Sequence, residues 1–367
     1  MSLVVVKVGS STLVSSDGSL DHAIIESLCE QVCELVAEGH SCVIVSSGAA
    51  AAGMGRLGFD RRPSDIPTLQ ACCSAGQAAL TETYAEILGR SGIACGQVLL
   101  TRGDVVSREG YLNARSTLTR LLELGAVPVV NENDAVSSSE ISFGDNDTLG
   151  AIVATLVSAD VYIILSDVEG LMDANPSVNP DARLVSRVEH VTPEIMASAG
   201  DSSSGVGTGG MITKLRAARA MLAAGIPMVI CQGRRPRVVV DVAHGEPIGT
   251  RFEAPVGSSH EAARKFWIGL AGVSRGRLTI DDGARRALVE QGGSLLPVGV
   301  TSVEGDFSAG DVVSVVDRYG GLVGRGAVRY SSDELAKARG LRLEVIERFL
   351  PELAGQPCIH RDELLLF

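Results

Sequence analysis

Two hydrophobic rhythms alternate along the chain. From Leu3 to Val8 every residue except Lys7 is apolar, the pattern of a strand covered on both faces of a parallel sheet. Asp21 then precedes Ile24, Ile25, Leu28, Val32, Leu35 and Val36. Their spacing predicts a helix capped by Asp21 and ended by Gly39. Apolar runs return at Cys42–Ser46, Ala94–Leu100, Ala126–Val130, Val161–Leu165 and Ile226–Cys231. Helix-period segments separate most of them, including a long one from Thr68 to Leu88, while Ser47–Gly53 reads as a loop. Strands alternating with helices predict an α/β fold with an open, mostly parallel sheet and helices on both faces. Ligands of such sheets gather at the carboxyl ends of the strands.

After Thr250 the pattern changes. Arg251–Gly269 holds Pro255, Gly257, Ser258, Ser259 and the only tryptophan, Trp267, and reads as a linker with a docking helix. Short strands split by glycine turns follow at Arg277–Ile280, Val298–Val303, Asp311–Asp317 and Leu322–Tyr330. One helix, Gly283–Gln291, interrupts them, with Asp281 or Asp282 as its cap. This predicts a small β-barrel-like domain. The expected division is a first domain over 1–252, a linker over 253–273, a second domain over 274–352 and a C-terminal tail over 353–367.

Composition narrows the classes. A chain of 367 residues has room for two domains, and 45% hydrophobic with 4% aromatic content is that of an aliphatic folded protein. A net charge of −12 argues against a broad nucleic-acid surface, although local lysines still permit small anionic substrates. No apolar run reaches the ~18 residues of a membrane helix. The start of the chain lacks a signal-peptide pattern, so a soluble cytoplasmic protein is expected. The eight cysteines include no CxxC pair and read as buried reduced thiols. The six histidines form no HExxH pattern, so no zinc site is expected.

Five stretches carry candidate chemistry. A Ser/Gly-rich run from Asp201 to Gly210 leads into a helix-like segment through Thr208, Gly209, Gly210, Met211, Ile212, Thr213 and Lys214. Glycines admit backbone N–H groups to an anion, a helix start adds a positive dipole end, and the lysine adds a charge. The same run also reads as a flexible loop. It is no P-loop, because Met211 follows Gly210. Lys7-Val8-Gly9-Ser10-Ser11-Thr12 closes the first strand and offers either a second phosphate contact or a snorkelling lysine before a turn. Asn131-Glu132-Asn133-Asp134 and Phe143-Gly144-Asp145-Asn146-Asp147 can bind an ammonium group or a metal, or hold lysines in place. Helix capping accounts for Asp145 or Asn146 but not for Asp134 or Asp147. Ser166-Asp167 suits a nucleotide's ribose or base, and equally a plain strand-end turn.

Together with Val45-Ser46-Ser47-Gly48-Ala49, these motifs resemble the amino acid kinase family over residues 1 to about 250. The remainder resembles a PUA domain through Asp281–Ala284, Ser294–Gly299 and Gly310-Asp311. Ser166 stands where relatives commonly carry threonine and keeps the hydroxyl. The resemblance implies phosphoryl transfer from ATP, accompanied by Mg²⁺, to the side-chain carboxylate of L-glutamate, a step of proline synthesis. It implies that Lys7 and Lys214 hold the phosphoryl oxygens and that Asp147 holds both lysines. Gly9, Ser10, Gly209 and Gly210 would supply backbone donors, and Ser166 and Asp167 would hold the nucleotide beside Thr208 and Met211–Thr213. Asp134 would take the α-ammonium, and Ser47, Gly48, Ala49 and Asn146 the carboxylates. No protein residue is assigned to a metal.

The resemblance further implies inhibition by proline; a homo-oligomer and handover of a labile product to the next enzyme are expected, and apolar pattern and charge argue against a membrane or nucleic-acid partner. The candidate mobile element is Ala50–Asp65, with Gly53, Asp65 and Ile66 as positions that tune inhibition. An acetylated-glutamate kinase would have no use for Asp134, and a uridylate kinase would need a second nucleotide site. An RNA-binding role for the tail meets a charge balance of zero between Arg275 and Ser332, where seven arginines face seven acidic residues.

Overall fold

The computed structural model describes residues 1–15, 19–106, 108–137, 145–174, 179, 181–198, 210–253 and 274–366. Thr208, Gly209, Phe143, Gly144, the linker and Trp267 lie outside the described residues. The chain divides into two compact units, Met1–Ser258 and Ser259–Phe367.

Among the described residues of the first unit, eight strands form one sheet. They are β1 (Leu3–Val8), β2 (Ser41–Val45), β3 (Cys95–Leu100), β4 (Val127–Glu132), β5 (Val161–Ser166), β6 (Arg187–Val188), β7 (Met228–Gln232) and β8 (Thr250–Phe252). Their order is β3-β4-β2-β1-β5-β7-β8-β6. Every neighbouring pair is parallel except β7 with β8. Strands β6 and β8 are too short to show a period in the sequence.

The helices that frame the site are α1 (Ser10–Leu13), α2 (His22–Ala37), α3 (Ala49–Leu57), α4 (Ile66–Arg90), α5 (Arg102–Val106), α6 (Arg108–Glu123), α7 (Asn146–Leu156), α8 (Pro193–Ser198), α9 (Met211–Ala224) and α10 (Val238–Ala243). Period-two alternation along β1 sends Val4, Val6 and Val8 into a core shared with α2, α4 and α10. Val5 and Lys7 turn to the opposite face. There α7 buries Asp147 and every residue from Leu149 to Leu156, as a helix apolar on most of its sides must.

The expected loop at Ser47–Gly53 is a helix from Ala49 onward. Alanine favours helix, and the glycines of this stretch serve packing. A side-chain carbon on Gly53 would sit 1.7 Å from the Cys72 carbonyl oxygen, and one on Gly76 would sit 2.3 Å from the Gly53 nitrogen. Helices α3 and α4 therefore cross backbone to backbone. Gly53 is a packing residue, and Asp65 caps α4 by accepting a bond from the Thr68 N–H at 2.9 Å.

The second unit holds a five-stranded sheet, β10-β9-β11-β12-β13. Its strands are β9 (Gly276–Ile280), β10 (Val300–Gly305), β11 (Val312–Val316), β12 (Leu322–Ala327) and β13 (Leu364–Leu366). Asp281 caps the helix Asp282–Val289 by accepting from the Ala284 N–H at 2.7 Å. The final residues, set apart as a tail from the sequence, supply Cys358, Ile359 and Leu364 to this unit's core and the last strand to its sheet. Three apolar residues after a polar stretch carry too little period to predict that pairing.

Candidate active site

The sheet order reverses at β1. The chain lays β2 on one side of it and returns to lay β5 on the other, which opens a crevice at the carboxyl ends of both strands. Lys7 is the penultimate residue of β1, and Gly9 donates its N–H to the Leu165 carbonyl at 3.3 Å. A side-chain carbon on Gly9 would lie 3.3 Å from Lys7 Nζ, so glycine leaves the ammonium its room.

Asp147 sits in the first turn of α7 and is completely buried. Lys7 Nζ donates to its Oδ1 at 2.5 Å, and Lys214 Nζ, from the first turn of α9, to its Oδ2 at 3.2 Å. Thr213 Oγ1 lies 2.8 Å from Oδ2. Both lysines are only 6% exposed. Three sequence-distant motifs thus meet at one carboxylate. Burial opposes ionisation of Asp147, but the charges of Lys7 and Lys214 outweigh it and hold the carboxyl down to about 2. Asp145 caps α7 through the Thr148 N–H at 2.7 Å. Burial and the neighbouring Asp147 charge push its carboxyl above the ordinary range. Two buried cations sharing one ionised carboxylate leave positive charge suited to an anion entering the crevice.

The second half of the site follows β2 and β4. Gly48 adopts φ +94°, which a side chain rarely tolerates, and this turn starts α3 directly after Ser47. The Asn146 amide Nδ2 lies 2.7 Å from the Ser46 carbonyl, 2.9 Å from Ser47 Oγ and 3.0 Å from Asn131 Oδ1. Asn131 donates in turn to Gln77 Oε1 at 2.7 Å. Beside this network a cavity of about 240 Å³ is lined by Ala49, Cys73, Gln77, Gln97, Glu132 and Asp134, among others. Burial pushes the Asp134 carboxyl above the ordinary range, with the Cys73 thiol and the Arg62 charge acting the other way.

The structure therefore brings Lys7, Gly9, Asp147, Thr213 and Lys214 into one cluster. It brings Ser47 and Asn146 into a second, and Ala49 and Asp134 into the cavity. Gly210 precedes α9 as its N-cap, and Met211 and Ile212 open that helix. Ser10 opens α1 at the end of β1. Ser166 closes β5, with its hydroxyl 3.0 Å from Asp167 Oδ1. Gln77 escaped the sequence reading because it lies inside a long helical pattern with no motif around it. Asn131 was legible as part of a polar loop, but its partners were not.

Elsewhere, Glu38, His40 and His244 place ligand atoms within 4.8 Å of one another. His40 Nδ1 accepts the Ser2 backbone N–H at 3.2 Å, which puts the neutral ring's proton on Nε2, the atom a metal would need. His244 Nε2 lies 2.9 Å from Glu38 Oε2. This is a hydrogen-bonded surface group. All eight cysteines are free thiols. No helix of the described residues is long and apolar enough to cross a membrane.

A βαβ scaffold with two lysines clamped on a buried aspartate at its strand ends has the makings of a phosphotransferase. The amino acid kinase family matches residues 2–232, and the PUA domain matches residues 276–350. A glutamate 5-kinase of Syntrophotalea carbinolica is 45% identical, covering 99% of this chain and 96% of the relative. One from Ralstonia nicotianae is 47% identical with the same coverages, and one from a Thermoanaerobacter species is 42% identical, covering 99% and 97%. Among solved structures, a UMP kinase from Bacillus anthracis gives a TM-score of 0.48 at 15% identity, over 69% of this chain and 96% of that one. The chain belongs to the amino acid kinase family, among its glutamate 5-kinases, and carries a C-terminal PUA domain.

Proposed function

We propose that the chain transfers the terminal phosphoryl group of ATP to the side-chain carboxylate of L-glutamate through the Lys7–Asp147–Lys214 cluster. The product is L-glutamate 5-phosphate, which opens proline synthesis from glutamate. The observation that carries this reading is the pair of buried lysines on one ionised carboxylate at the sheet's switch point.

Phosphoryl transfer needs positioning and charge neutralisation more than covalent help from the protein. A glutamate side-chain oxygen attacks the γ-phosphorus, the bond to the bridging oxygen of ADP breaks, and negative charge spreads over the three equatorial oxygens in flight. Lys7 and Lys214 meet that charge from two sides, while Asp147 keeps both ammonium groups aimed. The attacking carboxylate is already ionised at neutral pH, so no general base is required. Gly9, Ser10, Gly210, Met211 and Ile212 are assigned to the phosphates, and Ser166 and Asp167 to the nucleoside. Ser47, Gly48, Ala49 and Asn146 receive the substrate carboxylates.

The divalent ion that accompanies ATP is assigned as Mg²⁺. The Asp147 oxygens are taken by Lys7, Lys214 and Thr213, and those of Asp145 by Thr148. This donor set suits an ion carried on the nucleotide's phosphates and water, as Mg²⁺ prefers. When bound, it would neutralise negative charge on the phosphates. Proline shares the α-amino and α-carboxylate groups of glutamate, so it competes at the same cavity and inhibits. The kinase chemistry is contained in residues 1–252. The enzyme works in the cytoplasm as a homo-oligomer and passes its labile acyl phosphate to the next enzyme.

Asp134 is the reader of the α-ammonium. Asp134→Asn is expected to raise the KM for glutamate about ten- to hundredfold and to leave the KM for ATP within about twofold. Because burial raises its carboxyl pKa, Asp134 loses its charge at a higher pH than an ordinary aspartate. The KM of the native enzyme for glutamate therefore climbs early as pH falls, and that of Asp134→Asn does not. Initial rates over both substrates at several pH values check this. Equal effects on the two KM values would make Asp134 a support of its loop.

A further inference from the structure

Asp147 is held through its backbone as well as its side chain. Its carbonyl oxygen accepts a hydrogen bond from the Tyr162 hydroxyl at 2.9 Å. Tyr162 is the second residue of β5 and is completely buried. A hydroxyl in that position is costly without a partner, and among the described residues the Asp147 carbonyl is the partner it has. Burial and the charges of Asp147 and Asp145 push the phenol's pKa well above its ordinary value. The hydroxyl therefore keeps its proton and remains a donor throughout the working pH range.

Helix α7 is shaped to admit this hydroxyl. Gly150 lies three residues after Asp147, on the same side of the helix. A side-chain carbon there would sit 2.2 Å from the Tyr162 oxygen and 2.7 Å from ring carbon Cζ. Glycine inside a buried helix is intrinsically unfavourable. Its place opposite the hydroxyl is explained by clearance.

From this geometry we infer that Tyr162 is a positioning residue for phosphoryl transfer, with Gly150 as its matched clearance. Its hydroxyl ties the first turn of α7 to β5 and so fixes where the Asp147 carboxylate stands between Lys7 and Lys214. The idea rests on the phosphotransfer reading above, because it assigns Asp147 the task of aiming both lysines. Lys7 projects from β1, the direct neighbour of β5. A bond between β5 and α7 therefore sets the distance across which the Lys7–Asp147 pair forms.

Two measurements test this. Tyr162→Phe removes the hydroxyl and keeps the ring. It is expected to lower kcat about tenfold, with the KM values for glutamate and ATP within about twofold of native. A kcat within twofold of native in the folded variant would overturn the positioning role, whatever the change in Tm. The second measurement needs no activity. Gly150→Ala should lower Tm clearly in the native protein and much less in a Tyr162→Leu background, because leucine withdraws the atoms that the added methyl would strike. An equal loss of Tm in the two backgrounds would overturn the clearance pairing. A native enzyme inert towards glutamate would instead sink the phosphotransfer reading, while the Tm cycle would still decide whether Gly150 and Tyr162 are matched.

Discussion

Asp147→Asn is expected to lower kcat by about two to three orders of magnitude, with KM values for both substrates changed much less. Asparagine fills the same space but brings no charge. Lys7 and Lys214 then stand buried without their shared counter-ion, free to swing away from the transferring group. The same change is expected to cost about 3–5 kcal/mol of stability, the usual penalty for breaking a buried pair from one side. The pH dependence has a definite sign. The Asp147 carboxyl is depressed from 3.8 to about 2 in the folded protein. Its stabilising contribution is therefore complete above the unfolded value and is lost as pH falls through the folded one. The stability gap between native protein and variant should narrow between pH 4 and pH 2. Denaturant titrations across that range check it, and a gap independent of pH would mean that the charge of Asp147 holds nothing.

Gly76→Ala is expected to destabilise the first unit by about 3 kcal/mol or more, through overpacking that the neighbours cannot relieve. The added methyl would lie 1.8 Å from the Ala49 carbonyl oxygen and 2.3 Å from the Gly53 nitrogen. Those atoms are backbone, so no rotamer change makes room. Helix α3 must shift, and its first residue, Ala49, lines the cavity proposed to take glutamate. Glutamate affinity should fall along with Tm. Gly55→Ala in the same helix is the control, because no atom lies within 4 Å of the position. It should be neutral or stabilising by about 0.5–1 kcal/mol, from helix propensity alone. Matched thermal melts decide the point, and equal Tm values for the two variants would contradict the crossing described here.

This contrast shows where the sequence was transparent and where it was opaque. The strands of the sheet centre were legible because Leu3–Val8 and Val161–Leu165 are continuous apolar runs. The residues that meet at Asp147 were legible as polar motifs, Lys7 within the first of those runs and Asp147 and Lys214 at helix starts. Ala49–Gly53 reads as a loop in the sequence because glycines that punctuate a loop and glycines that let two helices touch look alike in one dimension. The close approach of Gly53 to Gly76 depends on where α4 lies, which no local pattern encodes. Strand β13 was missed for a related reason, since three apolar residues acquire meaning only from the edge of β12 that they pair with. The Tyr162 bond to α7 was hidden because tyrosine in a buried strand is ordinary until its hydroxyl is seen to have a partner.

In the proposed reaction, two lysines held on Asp147 stabilise the phosphoryl group as it passes to the glutamate side chain. The most direct test incubates purified protein with MgATP, L-glutamate and hydroxylamine, which traps an acyl phosphate as its hydroxamate, and follows ADP release alongside. The expected result is γ-glutamyl hydroxamate formed in step with ADP by the native protein, and reduced about 10²–10³-fold in Lys7→Ala and in Lys214→Ala. ADP release without hydroxamate, or hydroxamate formed at near-native rates by either lysine variant, would contradict it.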